Sequence, residues 1–354
     1  MLDNVTCKVG GAKVLQQLWR SRKSWSGYVI VVILLHILGF IGLVSAARHD
    51  TAFWSLGVLA YTLGMRHAFD VDHIAAIDNT VRKLVQQKRS PLGVGFYFSL
   101  GHSSVVFLMV LAIACSVKWI QTELPELQKT GSLIGTSVSG VFLILIGILN
   151  LIILVNLFGI FRTMRQGKQS GEELEKLLEA RGLFARLFKP LFRLISRSWH
   201  VYPLGFLFGL GFDTATEVGL LALSAGAAKT AVSLLGILSL PLLFAAGMSL
   251  LDTADGMFMT KAYRWAFNTP LRKIYYNVTV TTVSVISALL IGVVELTQIL
   301  SERLHWNSPV FDWVNALELG DLGYVLVGLF VVAWLVSFSV WKTMKFEERS
   351  DFAG

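Results

Sequence analysis

The chain of 354 residues is 54% hydrophobic and only 15% charged, whereas a soluble chain carries about 25% charged residues. The bilayer is therefore its main solvent, and an ordinary soluble enzyme is excluded. The net charge of +8 does not indicate nucleic-acid binding, because the basic residues lie between apolar runs and build no aromatic-interleaved patch. Cys7 and Cys115 are too few for a disulfide framework or a cysteine metal site.

A helix of about 20 apolar residues crosses a bilayer, and eight stretches qualify: 27–47, 53–77, 92–117, 133–161, 201–225, 231–258, 278–300 and 322–340. The sequence thus predicts an all-α polytopic membrane protein, one permease domain over 1–354 with eight transmembrane helices. The first stretch follows a basic N-terminus and ends near Val44-Ser45-Ala46, as a signal peptide does. Its apolar run exceeds the usual core of about 7–15 residues, so a retained helix is expected. With the N-terminus inside, 25 of the 31 Lys and Arg fall on inner segments and 5 on outer ones, with Arg66 inside a span. The positive-inside rule then places both termini in the cytoplasm.

The second stretch contains Arg66-His67-Ala68-Phe69-Asp70-Val71-Asp72-His73. A charged group at the bilayer centre costs about 2.5–3.5 kcal/mol on insertion scales, so intramembrane ionisable residues mark pathways and sites. On a straight helix His67, Asp70, Arg66 and His73 share an arc of about 120°, presenting two imidazoles and a carboxylate to one ion. Asp72 points away from that arc, so either the helix unwinds or Asp72 anchors a neighbour. Imidazole with carboxylate suits Ni, Co, Zn and Fe(II) better than Ca or Mg.

The third stretch offers His102 within Phe98-Ser99-Leu100-Gly101-His102-Ser103. Between the fourth and fifth, residues 162–200 combine Phe184, Leu187, Phe188, Leu191, Phe192 and Ile195 with Arg and Lys. That spacing predicts a basic amphipathic helix on the inner lipid surface, broken at Pro190. The fifth stretch brings Asp213 and Glu217 onto one face, and the sixth carries Gly247-Met248-Ser249-Leu250-Leu251-Asp252 and then Asp255. These carboxylates would neutralise a dication, hold an exchanged proton, or pair with Arg66. Phe98-x-x-Gly101-x-Ser103 echoes Phe244-x-x-Gly247-x-Ser249, and the oppositely directed second and fifth stretches suggest an inverted repeat.

Arg66-His67-Ala68-Phe69-Asp70-Val71-Asp72-His73-Ile74 resembles the hallmark R-H-A-[VF]-D-A-D-H-I of the nickel/cobalt permease family of prokaryotes and some fungi, departing only at Val71. Phe98 to Val106, Leu210 to Glu217 and Gly247 to Asp252 resemble its later motifs. The resemblance implies uptake of Ni²⁺, Co²⁺ or both by a secondary transporter, with no cofactor beyond the transported ion, as a monomer or homo-oligomer. It makes His67, Asp72 and His73 the signature metal residues, with His102, Asp213, Glu217 and Asp252 in support. Efflux is disfavoured because 162–199 lacks histidine, and a zinc protease because His-Glu-x-x-His is missing.

Overall fold

The computed structural model describes residues 3–115, 117–165, 195–210, 234–266, 270–306, 308–317 and 322–343. Every regular element among them is helical: α1 (Asp3–Ala47), α2 (Ala52–His67), α3 (Val71–Gln86), α4 (Val94–Cys115), α5 (Val117–Arg165), α6 (Val201–Gly209), α7 (Leu234–Ala266), α8 (Pro270–Leu304), α9 (Pro309–Asn315) and α10 (Leu322–Thr343). Five of them contain membrane-length apolar spans: Trp25–Ala47, Val94–Ala112, Thr130–Ile152, Leu234–Arg264 and Thr281–Leu304. The protein is therefore a multi-pass membrane protein. Of the other expected crossings, the fifth lies mostly outside the described residues, as do Pro190 and most of the amphipathic segment.

Lipid contact is written into α1, where Ile30, Ile33, Leu34, Ile37, Leu38 and Ile41 are exposed while Val32, Leu43 and Ala46 are buried. The exposed residues recur at helical spacing along one side. In the interior α7 packs against α1, α2, α3 and α4, while α5 pairs with α8 and α4 with α6.

Glycine permits the closest of these contacts. Tyr61-x-x-Gly64 of α2 crosses Phe244-x-x-Gly247 of α7: Gly64 lies against the Phe244 carbonyl and Gly247 against the Tyr61 carbonyl. Tyr202-x-x-Gly205 of α6 crosses Phe98-x-x-Gly101 of α4 in the same reciprocal way, Gly205 on the Phe98 carbonyl and Gly101 on the Tyr202 carbonyl. A Cβ at any of the four positions would collide with backbone. In lipid, where burial of apolar surface does not drive helices together, such small-residue contacts let backbones approach.

The second expected span is not one continuous helix. Phe69 N–H bonds the Arg66 carbonyl and Asp70 N–H the His67 carbonyl, each at 2.9 Å, tightening the end of α2 into a 3₁₀-like turn. Asp70 then adopts φ −62°, ψ 141°, and α3 starts at Val71. Of the two alternatives that the position of Asp72 left open, the helix therefore takes the unwound one. A second difference lies beyond it: residues assigned to an inner connecting segment, 78 to 86, continue α3. Thirteen of its sixteen residues are buried, including Asp78, Arg82 and Lys83, because α5, α7, α8 and α10 surround it.

The crossings give a direct stability prediction. Gly64→Ala should destabilise the folded protein by about 1–3 kcal/mol through overpacking against α7. Gly27→Ala, on α1 with nothing within 4 Å of the new methyl, should be neutral or stabilising by up to about 1 kcal/mol. Thermal melting of the two variants in detergent checks the difference, and equal melting would refute the crossing as a tight contact.

Candidate metal site

The break between α2 and α3 creates the site. His67 ends α2 and His73 lies in the first turn of α3, so the missing helical turn lets the two rings meet edge to face with centroids 4.6 Å apart. His102 of α4 completes a triangle, its ring 4.6 Å from that of His67 and 4.9 Å from that of His73. One ring nitrogen from each histidine lies within 4.8 Å of the other two.

Two carboxylates orient the imidazoles. Asp70 Oδ2 stands 2.5 Å from His67 Nδ1, and Asp252 Oδ2, from α7, stands 3.2 Å from His73 Nδ1. With both carboxylates ionised, and so accepting only, each ring would carry its proton on Nδ1 and turn Nε2 inward. His67 Nε2 is 3.0 Å from His102 Nε2, and His73 Nε2 is buried with no hydrogen-bond partner. Carboxylate–histidine pairs of this kind fix tautomer and ring direction in metal sites. By contrast, His36 commits Nδ1 to the Val32 carbonyl and Nε2 to the Tyr61 hydroxyl, and so reads as a structural core residue.

Asp72 also lies in the first turn of α3, where its Oδ1 accepts the His73 backbone N–H at 2.8 Å. There it complements the positive end of the helix dipole. Asp70 occupies the N-cap position without capping, since its carboxylate is taken by His67. Phe98 packs edge-on against His73 at 4.7 Å, and Phe244 lies 6.1 Å from His67. The glycine crossings thus place an aromatic ring beside each of these two histidines. The sequence had singled out Phe98 and Phe244 as repeat markers and missed that they wall the site.

The site is unevenly open. The side chains of His67 and Asp70 are 15% and 27% exposed, those of His73 and Asp252 0% and 1%. Arg66 is exposed and joins none of the ion pairs among the described residues, so the expected alternative of carboxylates paired with Arg66 is not met there. Asp213 and Glu217 lie outside the described residues. Asp255 sits on α7 one turn beyond Asp252, its Oδ2 buried and unpartnered.

Comparison with known proteins agrees with the motifs. The family model of NicO, the high-affinity nickel-transport protein, matches residues 53–340. The chain is 56% identical to the nickel transporter NixA of Staphylococcus aureus over 328 residues, 93% of this chain and 97% of that protein. It is 54% identical to the high-affinity nickel-transport protein NixA of Helicobacter pylori over 90% of this chain and 97% of that protein. Identity to the cobalt transport protein NhlF of Rhodococcus rhodochrous is 41% over 88% and 91% of the two chains. No solved structure matches. With this family model over residues 53–340 and these similarities over most of its length, the chain belongs to the NicO high-affinity nickel-transport family.

Proposed function

We propose that the protein takes up Ni²⁺, Co²⁺ or both across the cytoplasmic membrane as a secondary transporter, binding the ion at His67, His73 and His102. The observation that carries this reading is the trio of imidazole nitrogens within 4.8 Å at a helix break. Metal–imidazole bonds measure about 2.0–2.1 Å, so two nitrogens 3.0 Å apart subtend close to 90° at a shared ion. That angle suits octahedral or square-planar coordination more than the tetrahedral sites of zinc. To coordinate through Nε2, a neutral His102 carries its one ring proton on Nδ1, and the two metal bonds replace the His67–His102 hydrogen bond.

The ion meets Asp70 and His67 first, on the exposed side, and reaches His73 last. Asp72 adds negative charge at the start of α3, and Asp213 and Glu217 of the fifth span supply further ligands or charge. Entry of a dication is favoured by an inside-negative potential, about 2.3 kcal/mol per charge per 100 mV. One permease domain of eight spans with cytoplasmic termini and an amphipathic inner segment at 162–200 completes the reading. The two reciprocal crossings, α2 on α7 and α6 on α4, support an inverted repeat relating spans 2 and 3 to spans 5 and 6. No resident cofactor is needed, and the protein works as a transporter rather than an enzyme.

Cells depleted of metal and expressing the chain should accumulate radiolabelled Ni²⁺ or Co²⁺, and His67→Ala or His102→Ala should bring accumulation to background. Correctly inserted wild type that accumulates neither ion would overturn the transport reading; unchanged uptake by both variants would remove the site. Asp252→Asn keeps the shape around His73 but weakens its acceptor, and should lower metal affinity about 10–100-fold in equilibrium binding to purified protein. Because neutral imidazole is the ligand, affinity should fall steadily as pH is lowered, and a pH-independent affinity from pH 8 to 5 would contradict histidine ligation.

A further inference from the structure

A second polar cluster lies on α3 beyond the histidines, Asp78 being five residues, or about 8 Å along a helix, past His73. Its carboxylate accepts the Tyr263 hydroxyl of α7 on one oxygen and the Ser284 hydroxyl of α8 on the other, at 2.6 Å. Asn79 Oδ1 accepts Asn150 Nδ2 of α5 and Arg82 Nη2, both at 2.5 Å. Arg82 Nη2 is also 3.8 Å from Asp78 Oδ2. Three helices, α5, α7 and α8, thus converge on little more than one turn of α3. Asp78, Arg82 and Tyr263 are 0% exposed, Asn79 and Ser284 1%.

The cluster is costly for a purely structural device. A buried ion pair is seldom more stabilising than well-packed apolar residues of the same size, and a half-satisfied polar network is worse than an apolar core. Arg82 is half-satisfied: its Nε and Nη1 are buried with no hydrogen-bond partner, and so is the Thr80 hydroxyl beside it. The location gives such a joint a use. Every residue from His73 to Leu84 is buried, so an ion held at His73 has no route along α3 toward Gln86 unless α3 parts from α5, α7 and α8. A guanidinium lodged on that route also repels a dication.

Resting on the transport reading above, we propose that the Asp78–Asn79–Arg82 cluster is the release-side gate, a latch holding α3 to α5, α7 and α8 that opens to let the ion leave. Its hydrogen bonds are specific enough to define the closed state and, being incomplete, weak enough to break in each cycle.

Site-directed labelling tests this without requiring transport. In a chain with Cys7 and Cys115 replaced by serine, Thr80→Cys places a thiol at a fully buried position whose hydroxyl bonds nothing. A membrane-impermeant maleimide is applied to proteoliposomes from the side of Gln86. Labelling should be slow with the latch intact. Tyr263→Phe and, separately, Ser284→Ala each remove one bond to Asp78 and should speed labelling about tenfold or more, the shift expected for one hydrogen bond to a charged group. Ser284→Ala is the milder change and serves if Tyr263→Phe does not fold. Equilibrium nickel binding to the same preparations should remain.

If both variants bind nickel and merely melt at lower temperature, with labelling unchanged, the cluster is static packing and the proposal fails. If wild type moves no nickel while the two variants still speed labelling, the latch stands and the transport reading alone is lost.

Discussion

The bond between Asp70 and His67 is the interaction on which the site depends. Asp70 holds the N-cap position of α3, where aspartate ordinarily accepts a backbone N–H of the following helix, yet its carboxylate lies 2.5 Å from His67 Nδ1 instead. It thereby links the last residue of one helix to the residue preceding the next. Without the break that this bond spans, His67 and His73 would stand about 120° apart on a single helix. A break at membrane depth leaves backbone groups that lipid cannot satisfy. Here the Phe69 and Asp70 amides find the Arg66 and His67 carbonyls, and Ile74 N–H reaches the Asp70 carbonyl at 3.2 Å.

The break is useful only if neighbouring helices come close enough to complete the site, and glycine decides that. Gly64 and Gly247 bring α7 onto α2, while Gly95 lies against the Asp252 backbone of α7, bringing α4 onto the same helix. Asp252 and His102 therefore arrive on two backbones in direct contact. A side chain at any of these glycines would meet backbone closer than 3.0 Å and push apart the helices that carry the histidines and Asp252. The histidine cluster and the glycines are parts of one geometric requirement.

Much of this was legible in the sequence. The apolar runs gave the membrane class, and two histidines and two aspartates within seven residues pointed to the candidate site, where His67 and His73 meet His102. The conflict over Asp72 foretold the unwinding, since an α-helical wheel could not bring the whole motif to one face. The pairing of His73 with Asp252 was not legible, because 179 residues separate them and helix periodicity carries no information about partners across helices. Arg82 was misplaced for a different reason. Charge near the end of an apolar run ordinarily signals an aqueous segment, whereas tertiary packing and Asn79 draw this cation into the interior. An Asp-Asn pair with Arg four residues after the Asp, on a helix otherwise rich in Ala, Ile, Val and Leu, was the available signal.

The polar residues of α3 also give the molecule a direction. Where α2 ends and α3 begins, His67 and Asp70 retain some exposure, whereas His73 in the first turn of α3 and Asp252 of α7 have essentially none. The next two turns are sealed by contacts from three other helices, with a guanidinium among them. Along α3 the charged groups thus change from a partly exposed carboxylate at Asp70 to a sealed Asp78–Arg82 pair. An ion at the proposed site would be attracted from the side of Asp70 and blocked on the side of Arg82. Filling from the one and emptying past the other, as proposed, requires that those two openings never coincide, which is the physical requirement of alternating access.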